Sequence, residues 1–342
     1  MQSILPYLQA QLKQHPGIQV RDILKLCYQA AYGGDHLLLD LSGAHIFFEQ
    51  EFAAVQPGDG PLYEWISSDV ARVNLRVWKQ KGLPGEWLYR LFTLSAEVHC
   101  PGDLSLYLEE AEKLNFPGFA EAKAAYEREG CPSLHHSEQY RQLEQPAYRV
   151  VHRRLLQLIP ILEKAVLCNG QTPCVLAIDG RAAAGKTTIG AQLAYVLGGA
   201  VIHMDHFFLP PELRTVSRLE SPGGNIHWER FFQEVIPYLR NAESFSYRSF
   251  DCSRMAYGDA VCVPACSWRI VEGSYSLHPE LGAYYDFSVF VSVSPEEQLA
   301  RVEARNGAVL LKMFQEKWIP MEEQYFETFD VARGAINLLN IG

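Results

Sequence analysis

The stretch Cys174-Val175-Leu176-Ala177-Ile178-Asp179-Gly180-Arg181-Ala182-Ala183-Ala184-Gly185-Lys186-Thr187-Thr188 decides how this chain is read. Cys174 to Asp179 is an apolar run of strand length, and Lys186 to Leu197 has the pattern of a helix. Between them, Gly180 to Thr187 fits G-x-x-x-x-G-K-[ST]. Small residues at a strand-to-helix turn let backbone N–H groups curl around phosphate oxygens, at a helix N-terminus whose dipole favours negative charge. The pattern assigns Gly180, Arg181, Ala182, Ala183, Ala184, Gly185, Lys186, Thr187 and Thr188 to the phosphates of ATP. Lys186 is expected on the β- and γ-phosphates and Thr187 on Mg²⁺. Three interior alanines keep the loop small but leave it few hydroxyls.

Outward from this loop, short β-rich runs alternate with helical ones. Ala200 to His203, Arg269 to Val271 and Phe287 to Val293 read as strands; Trp228 to Leu239 and Glu296 to Arg305 read as helices. The expected fold is α/β, a parallel sheet covered by helices over residues 171–342. Residues 1–147 read as a separate, mainly α-helical domain, with apolar positions three and four apart at Val20, Ile23, Leu24 and Cys27. A short β-rich stretch is expected within it, at Leu62 to Ile66 and Val70 to Val77. From Tyr148 the pattern reads as a connecting helix bent at Pro160 and ending at Asn169-Gly170, so that residues 148–170 link the two domains.

Charge and composition narrow the partners. Across 342 residues, 30 basic against 40 acidic side chains give a net charge of -10, a field that repels nucleic acid and anionic membrane surfaces. The longest apolar run, Leu193 to Ile202, is well short of the roughly 18 residues of a spanning helix. No apolar run follows the first lysine, Lys13, as an export signal requires, and the expected location is the cytoplasm. The cysteines are irregularly spaced, and Cys262 and Cys266 lack the double-pair spacing of a zinc site, which points to reduced structural thiols.

Further motifs stand in order around the loop: Asp179 before it, His203-Met204-Asp205-His206-Phe207-Phe208 after the second strand, Gly224 to Phe231, Glu272-Gly273, and the run Trp318 to Phe326. Over roughly residues 170 to 330 this series resembles the uridine kinase-like branch of the P-loop kinases. The resemblance implies an ATP- and Mg²⁺-dependent kinase whose partner is a small-molecule hydroxyl acceptor, a nucleoside or comparable metabolite. It implies that Asp205 is the catalytic base beside the acceptor hydroxyl, and that Glu272 faces the metal in the manner of a Walker B acid. It also implies lid arginines that neutralise charge during transfer; Arg301 and Arg305, four apart on one helical face, are the candidates. Each has a plainer reading: Asp205 as a loop cap, Glu272 as a buried strand-end acid, the arginines as a solvated face. His227 stands where many relatives have an acid, and Tyr247, Asp251 and Arg254 match the acceptor-contacting segment loosely, so the acceptor stays open. The alternative function is a nucleotide-binding regulatory module that signals to the N-terminal domain without phosphorylating a metabolite.

In the N-terminal half, Gly33-Gly34-Asp35-His36 and His135-His136-Ser137-Glu138 stand out as polar clusters. Their readings are a metal site, a metal-free ligand or second active site, or plain structure with Asp35 as an N-cap. Arg72 and Asn74 fall on one face of the expected strand, which binds an anion or is simply wet. A bifunctional enzyme would bring Asp35, His36, Arg72 and His136 together in one cleft.

Overall fold

The computed structural model describes residues 3–38, 40–168 and 173–340, apart from the side chain of Asp35. The chain divides into two compact units, Met1–Ile159 and Pro160–Gly342.

The first unit is mainly helical around a small antiparallel sheet of β1 (Tyr63–Trp65), β2 (Val70–Asn74) and β3 (Tyr148–His152) in that order. Here the structure corrects the sequence reading, because Tyr148–His152 is a strand paired along its length with β2 and not the start of a connecting helix. The helical stretch that follows is broken into Arg153–Leu156 and Ile159–Ala165. Pro160 sits in the first turn of the second piece, where its missing N–H costs nothing, and so does not bend a helix interior. The end expected at Asn169-Gly170 lies outside the described residues. The strand expected to run on to Val77 stops at Asn74, whose side chain caps helix Leu75–Gln80 by accepting from the N–H groups of Arg76 and Val77. The helix Val20–Tyr32 buries Ile23, Leu24, Leu26, Cys27, Ala30 and Ala31 against the core that Ile66, Val70 and Val150 share.

The second unit is built on a parallel sheet. Among the described residues it contains β4 (Cys174–Gly180), β5 (Ala200–His203), β8 (Trp268–Glu272), β9 (Phe287–Ser292) and β10 (Ile336–Leu339), in the order β10-β9-β4-β8-β5. β4 is central, paired in parallel with β8 on one side and β9 on the other, and all seven of its residues are buried. That accounts for the apolar run Cys174 to Ile178, since a parallel strand covered on both faces has no wet side. The remaining pair, β6 (Phe245–Asp251) and β7 (Ala256–Val263), forms an antiparallel hairpin of its own. The helix Lys186–Leu197 follows β4 directly, and Pro295–Met313 and Ile319–Phe329 come late in the unit. Among the described residues no helix is long and apolar enough to cross a membrane.

Candidate functional site

The site forms where β4, β5 and β8 end, the edge at which open parallel sheets bind ligands. Gly180 ends β4 with φ 140°, and a Cβ there would lie 1.9 Å from the Val291 carbonyl oxygen, so the turn requires glycine. Gly185 closes the loop with φ 93°, where a Cβ would lie 2.4 Å from the Asn340 amide. Ala183 carries a left-handed backbone, φ 56°, without being glycine. Together these conformations make a concave backbone in which, among the described residues, the N–H groups of Ala183 and Gly185 have no protein acceptor. The first-turn amides of Lys186, Thr187 and Thr188 open onto the same concavity, as at any helix start. This cradle fits a polyphosphate.

Side chains from distant parts of the chain strap the loop. Glu322 accepts from Ala182 N–H at 2.9 Å and from the Ser274 hydroxyl at 2.7 Å. Gln298 donates to the Ala182 carbonyl at 3.0 Å, and Asn340 to the Ala184 carbonyl at 2.7 Å. Arg181 turns away to pair with Glu323 through Nε and Nη2, both at 2.8 Å. Of the assigned loop residues it is thus one whose side chain is already engaged. Burial raises the Glu322 carboxyl, while Lys186, Ser274 and Ala182 oppose the shift.

Lys186 is buried and its ammonium donates to the carbonyls of Gly180 at 2.7 Å and Arg181 at 2.9 Å, which holds it over the cradle. Thr187 is exposed on the first helical turn, and its hydroxyl lies 3.2 and 3.1 Å from the two carboxylate oxygens of Glu272. A hydroxyl and a carboxylate side by side beneath a phosphate cradle are the oxygen donors that Mg²⁺ prefers. The same carboxylate is held by His203 Nδ1, and the contact raises the His203 pKa. His203 is a member of this site that sequence reasoning quoted within a motif without giving it a role.

Asp205 lies just beyond the end of β5, its Oδ1 3.3 Å from where a Cβ on Gly273 would stand. Asp205 is exposed by residue, but the protein around its carboxyl partly desolvates it. That desolvation raises its pKa, reinforced by Glu272 and opposed by Lys186, His203 and Arg305. Asp179 serves the frame: it is fully buried and accepts from the N–H groups of Gly180, Tyr275 and Leu277 and from the Tyr325 hydroxyl.

The two arginines differ. Arg301 pairs with Glu297 at 2.8 Å and reaches the Ala183 carbonyl at 3.5 Å, and its Nη2 is buried without a partner beside the loop. Arg305 is exposed and bonded to Asn306 at 2.8 Å, so only its charge reaches Asp205. In the acceptor-side segment, Tyr247 is buried and meets His206 Nδ1 at 3.0 Å, whereas Asp251 closes the hairpin turn by accepting from Ser253 N–H and hydroxyl. His227 caps helix Trp228–Glu234.

His136 is buried with Nδ1 2.8 Å from Asp22 and Nε2 2.5 Å from the Tyr148 hydroxyl. Arg72 is 4% exposed and not open to water, while half-buried Asn74 caps helix Leu75–Gln80. The Asp35 side chain falls outside the described residues, so the four-residue cleft is not assembled from them. No group of three or more metal-ligating side chains occurs among the described residues.

No protein-family model matches the chain, and no curated protein matches it. Among solved structures, it is similar to a possible uridine kinase from Bacillus stearothermophilus, at 21% identity and a TM-score of 0.41 over 54% of this chain and 98% of that one. It is also similar to a candidate fructose transport system kinase from Silicibacter sp. TM1040, at 23% identity and a TM-score of 0.41 over 50% of this chain and 91% of that one.

Proposed function

We propose that the second unit transfers the γ-phosphate of Mg²⁺-ATP to a hydroxyl of a small molecule, a nucleoside or a comparable metabolite. The observation that carries this reading is convergence at one sheet edge: the cradle with Lys186, the Thr187–Glu272 pair, and Asp205 against Gly273. A nucleotide switch needs the first two. It has no use for a further carboxylate within electrostatic reach of Lys186 and Glu272, and Asp205 is what favours transfer over switching.

In this reading Lys186 trades its loop carbonyls for β- and γ-phosphate oxygens. Thr187 and Glu272 would hold Mg²⁺, which would supply neutralisation of phosphate charge. Asp205 orients the acceptor hydroxyl and takes its proton, and the raised pKa brings it nearer the working pH of a general base. Arg301, with Nη2 free, donates to the transferring group.

The test is ADP release from the full chain with Mg²⁺-ATP across a panel of nucleosides, vitamins and sugars, with Lys186→Ala as the blank. Acceptor-dependent release that the blank lacks is expected. Tight nucleotide binding with every acceptor silent, across hydroxyl classes, would move the assignment to a regulatory module.

A further inference from the structure

The first unit buries two cations whose nearby carboxylates are each held by other groups. Arg72 on β2 is 4% exposed and Lys25 on helix Val20–Tyr32 is 9% exposed. Arg72 Nε and Nη2 donate to Gln29 Oε1 at 3.1 and 2.7 Å, Nη1 reaches Gln11 Oε1 at 3.4 Å, and its guanidinium lies 4.4 Å from the Tyr148 ring centroid. All of these partners are neutral. The Lys25 ammonium donates to the Leu134 carbonyl at 2.7 Å, and among the described residues its other two hydrogens have no acceptor. Arg149 on the neighbouring strand shows the contrast, since it is equally buried but paired with Glu51 at 2.6 Å.

The nearby anions are already engaged. Glu64, which acts on Arg72, accepts from Gln11 Nε2 at 3.3 Å and pairs with His15 Nε2 at 2.9 Å. Asp22 accepts from His136 Nδ1 at 2.8 Å, Ser137 N–H at 3.0 Å, Ser137 hydroxyl at 2.6 Å and Gln19 N–H at 3.0 Å. The other charged groups acting on Lys25 are Arg72, Arg21 and Arg141, all cations. His36, which also feels Lys25, has its Nδ1 buried without a partner. Spacing explains the assembly: Asp22, Lys25 and Gln29 lie three and four apart on one stripe of their helix. A buried cation without a counter-ion is unfavourable unless something supplies the opposite charge. That the fold keeps two together, in a chain of net charge -10, marks a place for an external anion.

We infer that the first unit binds a small oxyanion, a carboxylate or a phosphate, through Lys25 and Arg72, with His36 at its edge. A planar guanidinium and a free ammonium suit either group. The site owes nothing to the phosphate loop and stands or falls separately from the kinase assignment.

Calorimetry on the full chain carrying Lys186→Ala, which disables phosphate capture by the loop, tests it with inorganic phosphate and succinate as separate probes. Saturable binding of one probe, weakened at least tenfold by adding Lys25→Gln, is expected, and the responding probe names the anion class. A second readout spares Lys25: acetylation of its amine by an acylating reagent should slow severalfold in the presence of the same probe. Binding that survives Lys25→Gln overturns the inference. So does the absence of both heat and protection with either anion. Should Lys25→Gln fail to fold, protection alone decides.

Discussion

Gly180→Ala puts the most strain on the proposed site for the fewest added atoms. The new Cβ would lie 1.9 Å from the Val291 oxygen and 2.7 Å from its carbon and nitrogen. A carbon and a carbonyl oxygen sit no closer than about 3.3 Å, so one backbone must retreat by about 1.4 Å. No flexible side chain can yield, because the contact is with the β9 backbone, which Arg181 N–H also uses at 3.0 Å. A glycine-only backbone region costs about 1–3 kcal/mol, overpacking about 1–3, and a weakened hydrogen bond about 1. The sum, about 3–7 kcal/mol, is comparable with the whole stability of an ordinary domain, about 5–15 kcal/mol. Gly282→Ala is the control: it also has a positive φ, 67°, with an extended ψ, but nothing lies within 4 Å of its Cβ, and it should cost about 1–3 kcal/mol. In urea, with a slope of about 2 kcal/mol per M, the Gly180 variant should unfold at a midpoint roughly 1.5–3.5 M lower than the parent and the control no more than about 1.5 M lower. Nucleotide binding should vanish in the first variant and persist in the second. Equal midpoints for the two variants would refute the close packing of β4 on β9 at the loop.

Asp205→Asn should lower acceptor-dependent turnover by about 10²–10⁴ while nucleotide affinity stays within a fewfold, measured by steady-state kinetics and calorimetry; undiminished turnover assigns the base elsewhere. Ala183→Gly removes the strain of a left-handed alanine and should leave stability unchanged or raise it by about 1 kcal/mol in urea unfolding, whereas a clear loss contradicts the φ of 56°. Burial, opposed by the bond to Asp22, holds His136 at about 4, below its unfolded 6.5, so its contribution is present above pH 6.5 and is lost as pH falls from 6.5 to 4. That shift corresponds to about 3 kcal/mol, and amide exchange in β2 and β3 should accelerate over that window, less so in His136→Gln.

Legibility followed how local each determinant is. Lys186–Leu197 and Ala200–His203 have the bounds read from sequence, because glycines at 185, 198 and 199 punctuate them on the spot. The loop's glycines at 180 and 185 likewise stand where the backbone takes positive φ. Tyr148–His152 was misread because Val150 and Val151 run without a break into Leu155 and Leu156; what makes it a strand is β2, more than seventy residues earlier. The β6–β7 hairpin escaped notice since its Asp251-Cys252-Ser253-Arg254 turn lacks glycine and proline. Glu322 lies 140 residues from the Ala182 amide it accepts from, and a pairing across such distance leaves no mark in spacing. Arg72 faces into the unit and not into water, and the amide oxygens of Gln11 and Gln29 that receive it come from other elements altogether.

The central place of β4 also governs how the chain is made. Its partners arrive late, since β8 begins 94 residues after β4 begins and β9 later still. At roughly 5–20 residues per second on the ribosome, an apolar strand waits on the order of 5–20 s with both edges unpaired. The segment that will carry the phosphate loop is therefore open to aberrant pairing during synthesis until β8 and β9 emerge.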